Sequence, residues 1–344
     1  MLKHIYKYLG IALLTVVLLP DAVAQIEPED VGTEKLAQTS FKFLKVSPDA
    51  RAAAMGGGLI ASDLASPVAM FYNPAGMARL ERFGVSFGLT QWIADINYSA
   101  ISAAYNTNGY GVFGVSLMFA EYGDHFIGTI QDGSDPRGYR EYSELGLSDP
   151  KPSAYAVGLG YAAAITDRFS VGGNVKIASQ DLGTALVSDG VTESAEETAL
   201  AFDFGVLYKT GFRSLNLALT VRNFAQELNY VDENFELPLT FNVGVAMDLM
   251  DFRNMESSDH SLVLSVEAER PRDFAEQVKI GGEYSFSNIL FLRAGYIAPT
   301  DEEGINLGAG LRYDLSGVGV GVDYSFTSFG VFDNVQRFGF QLTY

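Results

Sequence analysis

The amino-acid sequence predicts an all-β transmembrane β-barrel of fourteen antiparallel strands, preceded by a short N-terminal plug of helices and irregular chain. Three observations support this fold class: a leader typical of exported proteins, repeated segments of alternating polarity, and an aromatic residue at the C-terminus. In the final segment, period-two geometry puts Phe338, Phe340, Leu342 and Tyr344 on one face. We expect these four residues to form the lipid-facing side of the closing strand and to act as an assembly signal.

The N-terminus has the pattern of a cleavable signal peptide over residues 1–24. Lys3 and Lys7 precede an apolar run at 9–19, and small residues follow at 22–24. The run is shorter than the roughly 20 apolar residues that a membrane-spanning helix needs. We therefore expect a protein exported to the outer membrane of a diderm bacterium and not anchored by helices.

Composition narrows the class of protein further. The chain has no Cys, 36 Gly, 24 Phe and 18 Tyr, which is unlike a disulfide-stapled secreted domain. Its formal net charge is −19, and a nucleic acid would require the opposite sign. We expect outer-membrane lipid as a partner and no nucleic acid.

The predicted barrel occupies residues 83–344, where side chains alternate between large apolar and small or polar. The predicted strands are 83–89, 95–105, 109–121, 153–164, 168–180, 199–209, 214–223, 238–249, 260–270, 275–285, 289–297, 304–313, 317–326 and 335–344. Most have about ten residues, the length of a tilted membrane strand. Charged residues fall on the small-residue face, and a barrel this wide needs a polar interior or a plug. We therefore expect the apolar face to lie outside, against lipid.

Connection lengths give an independent indication of orientation. Short turns alternate with longer connections at 122–152, 181–198, 224–237 and 327–334. Outer-membrane barrels have short periplasmic turns and longer extracellular loops. The barrel should therefore begin and end on its periplasmic side, although the connection at 250–259 is longer than this rule expects.

Residues 25–82 lack the alternation of the barrel and are predicted to plug its lumen or its periplasmic mouth. Ser47 and Pro48 have the pattern of a helix start, with Ser47 as the capping residue. The plug motif also contains Asp49, Arg51 and the turn-forming run Asn73, Pro74, Ala75 and Gly76. We expect the charged plug residues to form ion pairs with charges on the lumen wall, and so we do not expect an open pore.

The plug and the barrel together resemble a known family. Phe43-Leu44-Lys45-Val46-Ser47-Pro48-Asp49-Ala50-Arg51, then Ala54-Met55-Gly56-Gly57 and Asn73-Pro74-Ala75-Gly76-Met77-Ala78, precede a barrel that ends on an aromatic residue. This order resembles the PorV/PorQ family, which is itself similar to the FadL-type long-chain fatty-acid transporters. The resemblance implies a non-catalytic component of type IX protein secretion or surface attachment that binds the C-terminal signal domain of secreted cargo or another secretion-system protein. The run Gly76-Met77-Ala78 is closer to the FadL-like form.

Two functions follow from these expectations. A secretion component needs a docking surface, and loop 122–152 mixes apolar and charged residues in a way that suits a partner interface. Its candidate residues are Tyr122, Phe126, Ile127, Ile130, Tyr139 and Tyr142. The same loop could instead fold over the barrel mouth. The alternative function is FadL-like transport of a hydrophobic small molecule, such as a long-chain fatty acid, which needs an apolar pocket in the lumen.

Catalysis is not expected. Apart from a His in the signal peptide, the chain has only His125 and His260, in connections on opposite sides of the predicted membrane. They cannot assemble a nucleophile, base and acid, and without Cys a zinc site is not expected either. The acidic loops could attract Ca²⁺, but they lack the spacing of a dedicated calcium loop. We therefore expect no cofactor, no metal and no enzyme activity.

Overall fold

The computed structural model describes residues 39–344, except 63, 124–125, 189–190, 231–232 and 253–258. The predicted signal peptide, residues 25–38 of the predicted plug and His125 lie outside the described residues. Among the helices within these ranges, none combines the length and the apolar character that crossing a membrane requires.

Fourteen strands form the barrel, and we number them in chain order. They are β1 (Phe83–Gln91), β2 (Asn97–Asn106), β3 (Val112–Glu121), β4 (Ser153–Ala164), β5 (Phe169–Ser188), β6 (Val191–Lys209), β7 (Asn216–Ala225), β8 (Thr240–Asp248), β9 (His260–Pro271), β10 (Gln277–Phe286), β11 (Leu290–Ala298), β12 (Glu303–Leu315), β13 (Val318–Phe329) and β14 (Val335–Thr343). The predicted number of barrel strands is confirmed.

The barrel closes between its first and last strands. Strand β14 pairs with β1 in antiparallel register, with Phe340 opposite Phe87 and Leu342 opposite Val85. All other neighbours are consecutive antiparallel strands, so the sheet has no free edge within the barrel. The last strand therefore has the closing position that the sequence predicts.

The outer face of the barrel is apolar and the inner face carries the charges. Phe87, Phe204 and Phe340 point outward and are each more than two-fifths exposed. Lys176 and Asp203 point inward and are buried. An apolar surface that encircles the molecule is far larger than the patches of soluble monomers, and it fits contact with lipid.

The two ends of the barrel differ in their connections. We use "turn end" for the end where Phe83 and Tyr344 lie and "loop end" for the opposite end. At the loop end, the predicted loop 181–198 is wrong in part: strands β5 and β6 continue to Ser188 and from Val191 as one long hairpin. Backbone pairing of β5 with β6 continues beyond Asp181, the last residue of β5 that pairs with β4, after a register shift between Asp181 and Thr184.

The part of the plug that the structure describes contains four short helical elements joined by irregular chain. These are 3-10 helices at Lys42–Lys45, Pro67–Phe71 and Pro74–Arg79, and the α-helix α1 at Ala50–Ala54. The predicted helix start at Ser47 is wrong. Asp49 caps α1, because its side chain accepts a hydrogen bond from Ala52 N at 2.8 Å. The Ser47 hydroxyl is hydrogen-bonded to the Tyr72 hydroxyl instead.

The plug crosses the lumen from the loop end to the turn end. Thr39 bridges to Glu236, in the connection before β8 at the loop end. Further along the chain, Pro67 lies beside Gly84, at the turn end of β1. The described part of the predicted plug thus lies inside the barrel and meets β1 at the turn end.

Candidate functional site

Glycines in the wall make room for the plug. An ideal Cβ at Gly84 would lie 2.8 Å from Pro67 Cδ, and one at Gly160 would lie 2.9 Å from Met70 Cε. At Gly244 the corresponding distance, to Ile60 Cγ1, is also 2.8 Å. Similar close approaches occur at Gly88, Gly114, Gly172, Gly205, Gly281, Gly295 and Gly308. The plug therefore packs directly against the backbone of the wall around most of the barrel circumference.

The Asn73-Pro74-Ala75-Gly76 run attaches the plug to strand β6. Asn73 Oδ1 accepts a hydrogen bond from Ala75 N, while its Nδ2 donates to the carbonyl oxygens of Ile60 and Val206 at 2.8 and 3.1 Å. Pro74 occupies the first turn of the following 3-10 helix. Because Asn73 is buried and bonded to both plug and wall, this motif has a structural role here.

Buried ion pairs join α1 to the inner face of strands β10, β11 and β13. Arg51 donates two hydrogen bonds to Glu283, both at 2.7 Å. Glu283 also accepts a bond from Arg293, which in turn donates to Asp323, each at 2.6 Å. The predicted pairing of plug and lumen charges is present in this chain of contacts.

An apolar groove lies on the inner wall at the loop end, along β2 to β6. The wall of the groove consists mostly of inward-facing alanine side chains, and three residues of the plug fill the groove. The wall residues include Tyr98, Met118, Ala120, Ala154, Ala156, Ala178, Ala199 and Ala201. Phe41, Phe43 and Leu44 fill the groove and are at most 5% exposed. We call residues 39–46 the arm.

One carboxylate contacts three polar side chains spread along the arm. Asp273, between β9 and β10, accepts hydrogen bonds from Thr39 Oγ1 at 3.1 Å and from Lys45 Nζ at 2.9 Å, and it pairs with Lys42. Burial alone would raise the pKa of Asp273, but the hydrogen bonds from Lys42 and Lys45 outweigh it and lower the pKa to about 2. Gln180 of β5 also accepts a bond from Phe41 N at 2.9 Å.

Arg222 of β7 contacts both the arm and the rest of the plug. Its Nη2 donates to the Leu44 carbonyl oxygen at 3.3 Å, and its guanidinium carbon lies 6.0 Å from the centre of the Tyr72 ring. Two cavities border it, of about 40 and 30 Å³, and both touch Leu44 and Val46. These volumes hold water but no larger ligand, so the lumen is closed at this level.

Loop 122–152 does not present its six candidate residues as one surface. Tyr142 is buried against Gly128, and Tyr122 packs on the cluster that contains the arm. Ile130 is half-buried in a small hairpin formed by Thr129–Gln131 and Tyr139–Glu141. The other three candidates, Phe126, Ile127 and Tyr139, are at least 40% exposed. Their binding role stays a prediction.

The four residues of the predicted assembly signal lie together on the outer face of β14. Phe338, Phe340 and Tyr344 are each more than 40% exposed, and Leu342 is half-buried beside Val85. Arg82, just before β1, lies over the Tyr344 ring, 5.0 Å from its centre. Their placement agrees with a lipid-facing strand, and their action in assembly stays a prediction.

Sequence reasoning missed Asp273, Gln180 and Arg222 as contacts of the arm. Nothing in the local sequence distinguishes Arg222 from the other charged residues of the predicted strands. The only signal for Asp273 was its position in a short connection next to Pro271. Among the residues the structure describes, no three His, Cys, Asp or Glu side chains are grouped so as to hold a metal ion.

No protein-family model matches the chain, and no curated protein matches it. Solved structures do. The toluene transporter TodX of Pseudomonas putida is 13% identical, with a TM-score of 0.54 over 85% of this chain and 96% of that one. The monoaromatic hydrocarbon channel CymD is 12% identical, with a TM-score of 0.53 over 89% and 99%.

A FadL homologue of Pseudomonas aeruginosa is 14% identical, with a TM-score of 0.53 over 87% of this chain and 98% of that one. At these identities the likeness establishes the fold. The chain has the architecture of a FadL-like barrel, and the part of the predicted resemblance that is specific to PorV/PorQ receives no support from these structures.

Proposed function

We propose that this chain is an outer-membrane barrel that lets small hydrophobic molecules cross the outer membrane, and that the apolar groove at the loop end is where they first bind. The observation that carries the proposal is the groove itself. It is a lumen surface of alanines and aromatic side chains, filled by Phe41, Phe43 and Leu44 of the chain's own arm. A hydrophobic ligand would cover the same wall surface that these side chains cover.

The arm can exchange with a ligand because its contact with the groove wall is apolar, and a hydrophobic molecule can make the same kind of contact. The hydrogen bonds of the arm with Asp273 and Gln180 would break on release. A ligand that binds the groove only when the arm has left it increases the population of the released state. The increase depends on how much more tightly the ligand binds the released state than the attached state. The likeness to solved hydrocarbon channels supports the same choice of ligand class.

A closed resting lumen fits this mode of passage. The wall glycines meet the plug at backbone distance, and the cavities beside Arg222 hold only water. A continuously open pore would also admit polar solutes. Passage that depends on displacement of the arm admits only molecules that compete for the apolar groove.

A disulfide between the arm and the wall tests the proposal. Thr39 and Asp273 are in direct contact, and the chain has no Cys of its own. The double variant Thr39→Cys/Asp273→Cys would be expressed in a diderm host that lacks its own hydrophobe channels. Uptake of radiolabelled toluene and of a radiolabelled long-chain fatty acid would be measured before and after reduction. We expect uptake to be blocked in the oxidised protein and restored on reduction.

Ser86→Cys/Ser102→Cys is the matched control, since it joins two inward side chains of β1 and β2 that are bonded to each other. This pair cross-links the wall and leaves the arm free. Redox-independent uptake by the control, together with redox-dependent uptake by the arm variant, supports the proposal. Equal uptake by the oxidised and reduced forms of the arm variant would refute it.

The second proposal is the secretion role implied by the PorV/PorQ resemblance. The observation that favours it is the group of exposed apolar side chains Phe126, Ile127 and Tyr139 in loop 122–152. Native mass spectrometry of the protein extracted from its own membrane in mild detergent would discriminate. A co-purifying secreted protein that is lost when all three residues become Ser would support this role, and a solitary barrel that holds a hydrophobe would support transport.

A further inference from the structure

Large apolar side chains are exposed around the rim of the barrel at the turn end. At or beside five of the connections there, such a side chain is at least 40% exposed: Tyr110, Ile165, Phe212, Phe252 and Leu315. Turns are usually made of small or polar residues. A protein partner on one side of the rim would cover only some of these side chains, whereas a membrane surrounds the rim. Their distribution therefore fits the interface of a lipid leaflet.

The apolar surface of the wall continues onto the connection between β6 and β7. Tyr208 of β6 lies opposite Leu217 of β7 on the outer face of the barrel, and both are at least 40% exposed. Phe212 lies in the connection that joins these two strands and is exposed to the same extent. Because the wall below it faces lipid, this connection borders the lipid headgroups.

Two arginines lie beside Phe212. The guanidinium of Arg168, from the β4–β5 connection, lies so close to Gly211 that an ideal Cβ there would be 2.5 Å from Arg168 Nη1. The guanidinium carbon of Arg213 lies 5.5 Å from the centre of the Phe252 ring. Both arginines are exposed, and within the described part of the chain neither forms an ion pair with a carboxylate. Guanidinium groups with free donors bind phosphate oxygens well.

Carboxylates are present near these arginines but do not outnumber the cations. Among the residues that the structure describes in this region, four are cationic and three are acidic: Arg79, Arg168, Lys209 and Arg213, with Asp167, Asp248 and Asp251. Asp248 and Asp251 each accept a hydrogen bond of 2.8 Å from a backbone N–H, of Met250 and Ser214 respectively. The balance suits a group with one negative charge, such as a phosphate diester, better than a polyanion.

We propose that the β6–β7 connection, together with Arg168, binds an anionic phospholipid of the leaflet at the turn end. The phosphate lies between Arg168 and Arg213, while Phe212 and Phe252 enter the boundary between headgroups and acyl chains. The turn end is predicted to be periplasmic, and the periplasmic leaflet of an outer membrane consists of phospholipid. The site lies outside the lumen and shares no residue with the groove, so transport and lipid binding can fail separately.

The test is a titration of the purified protein in detergent with dioleoyl phosphatidylglycerol, followed by native mass spectrometry. Dioleoyl phosphatidylcholine has the same acyl chains and no net charge. We expect saturable binding of phosphatidylglycerol that weakens roughly fivefold in Arg168→Gln and in Arg213→Gln, while binding of phosphatidylcholine stays weak in all variants. Arg270→Gln, which removes an exposed arginine from the loop end, should bind phosphatidylglycerol as the parent does.

Two further measurements distinguish a lipid site from a site for free phosphate. Glycerophosphoglycerol, the same headgroup without acyl chains, should not displace the lipid. Phe212→Ser should weaken lipid binding, whereas Phe332→Ser, which removes an exposed aromatic side chain at the loop end, should not. Equal affinity of the parent for the two lipids would overturn the proposal. So would unchanged binding in Arg168→Gln/Arg213→Gln, or displacement of the lipid by the free headgroup.

Discussion

Arg51 of the plug and Glu283 of strand β10 are joined by two parallel hydrogen bonds of 2.7 Å, although 232 positions separate them in the chain. Both side chains are largely buried, at 16% and 5% exposure. Since Glu283 also binds Arg293, the pair connects the plug to the network of charges on the wall. The contact fixes α1 against the wall that it faces.

Replacing Arg51 with Met should destabilise the folded barrel by about 2–4 kcal/mol. The loss is large because Glu283 then keeps one partner in place of two in a buried site. The measurement is the midpoint of thermal unfolding, followed by the mobility shift of unheated samples on denaturing gels. Arg270→Met is the control, since the Arg270–Glu276 pair is about three-quarters exposed and should contribute little. Equal midpoints for the two variants would contradict the role of the plug contact.

The attachment of the arm should depend on pH through Asp273. The pKa of this carboxyl in the folded protein, about 2, lies below its ordinary value of roughly 3.9. Because the pKa of Asp273 is lower in the folded protein, the ionised carboxylate stabilises the attached arm at pH values above its ordinary pKa. This stabilisation is lost as the pH falls through the pKa of the folded protein. We therefore expect the arm to stay attached at pH 5–7 and to be released between about pH 4 and pH 2.

Trp92 reports this release, because it is the single Trp of the chain and packs against the apolar cluster that includes the arm. Its fluorescence emission should shift across the acidic interval in the parent protein. In Asp273→Asn the shift should already be present at neutral pH. A pH-independent emission in the parent, with the barrel still folded, would count against the Asp273 attachment.

A side chain at Gly205 should displace the plug. Gly205 of β6 faces Asn73 and Pro74 so closely that a Cβ cannot be accommodated without movement. Gly205→Val should destabilise the folded barrel by about 1–3 kcal/mol, the usual cost of forcing extra methyl groups into a packed interior. The midpoint of thermal unfolding is again the measurement, and Gly282→Val, on the open outer face, is the matched control. An unchanged midpoint in Gly205→Val would show that the plug does not seat there.

A charge at the C-terminal aromatic should impair assembly. Tyr344→Asp places a carboxylate on the outer face at the seam between β14 and β1 and removes the contact with Arg82. We expect the folded fraction in the outer membrane to fall by up to about fivefold, because a charge on the lipid-facing surface costs up to about 1 kcal/mol near the membrane interface. Thr343→Asp, one residue earlier and facing inward, should assemble normally. Normal assembly of Tyr344→Asp would remove the assignment of the terminal residues as a signal.

Some predictions about the plug could not have succeeded from sequence. Asp49 rather than Ser47 caps α1, because the capping residue is decided by which oxygen reaches a free backbone N–H in the folded chain. Ser47 meets Tyr72 instead, a contact that depends on the path of the plug through the lumen. Similarly, β5 and β6 pair over most of residues 181–198, where a loop was expected. The length of such a hairpin depends on hydrogen bonds between two strands, and these form only in the folded chain.

The sequence by itself determined the barrel, its fourteen strands and the face that carries the charges. These follow from side-chain alternation with period two, which is a local property that every strand repeats. Only the tertiary structure decided that the arm fills an apolar groove and that Asp273 holds it. Each of these depends on residues brought together by closure of the barrel, such as Thr39 and Asp273, 234 positions apart, and no local pattern encodes such a distance.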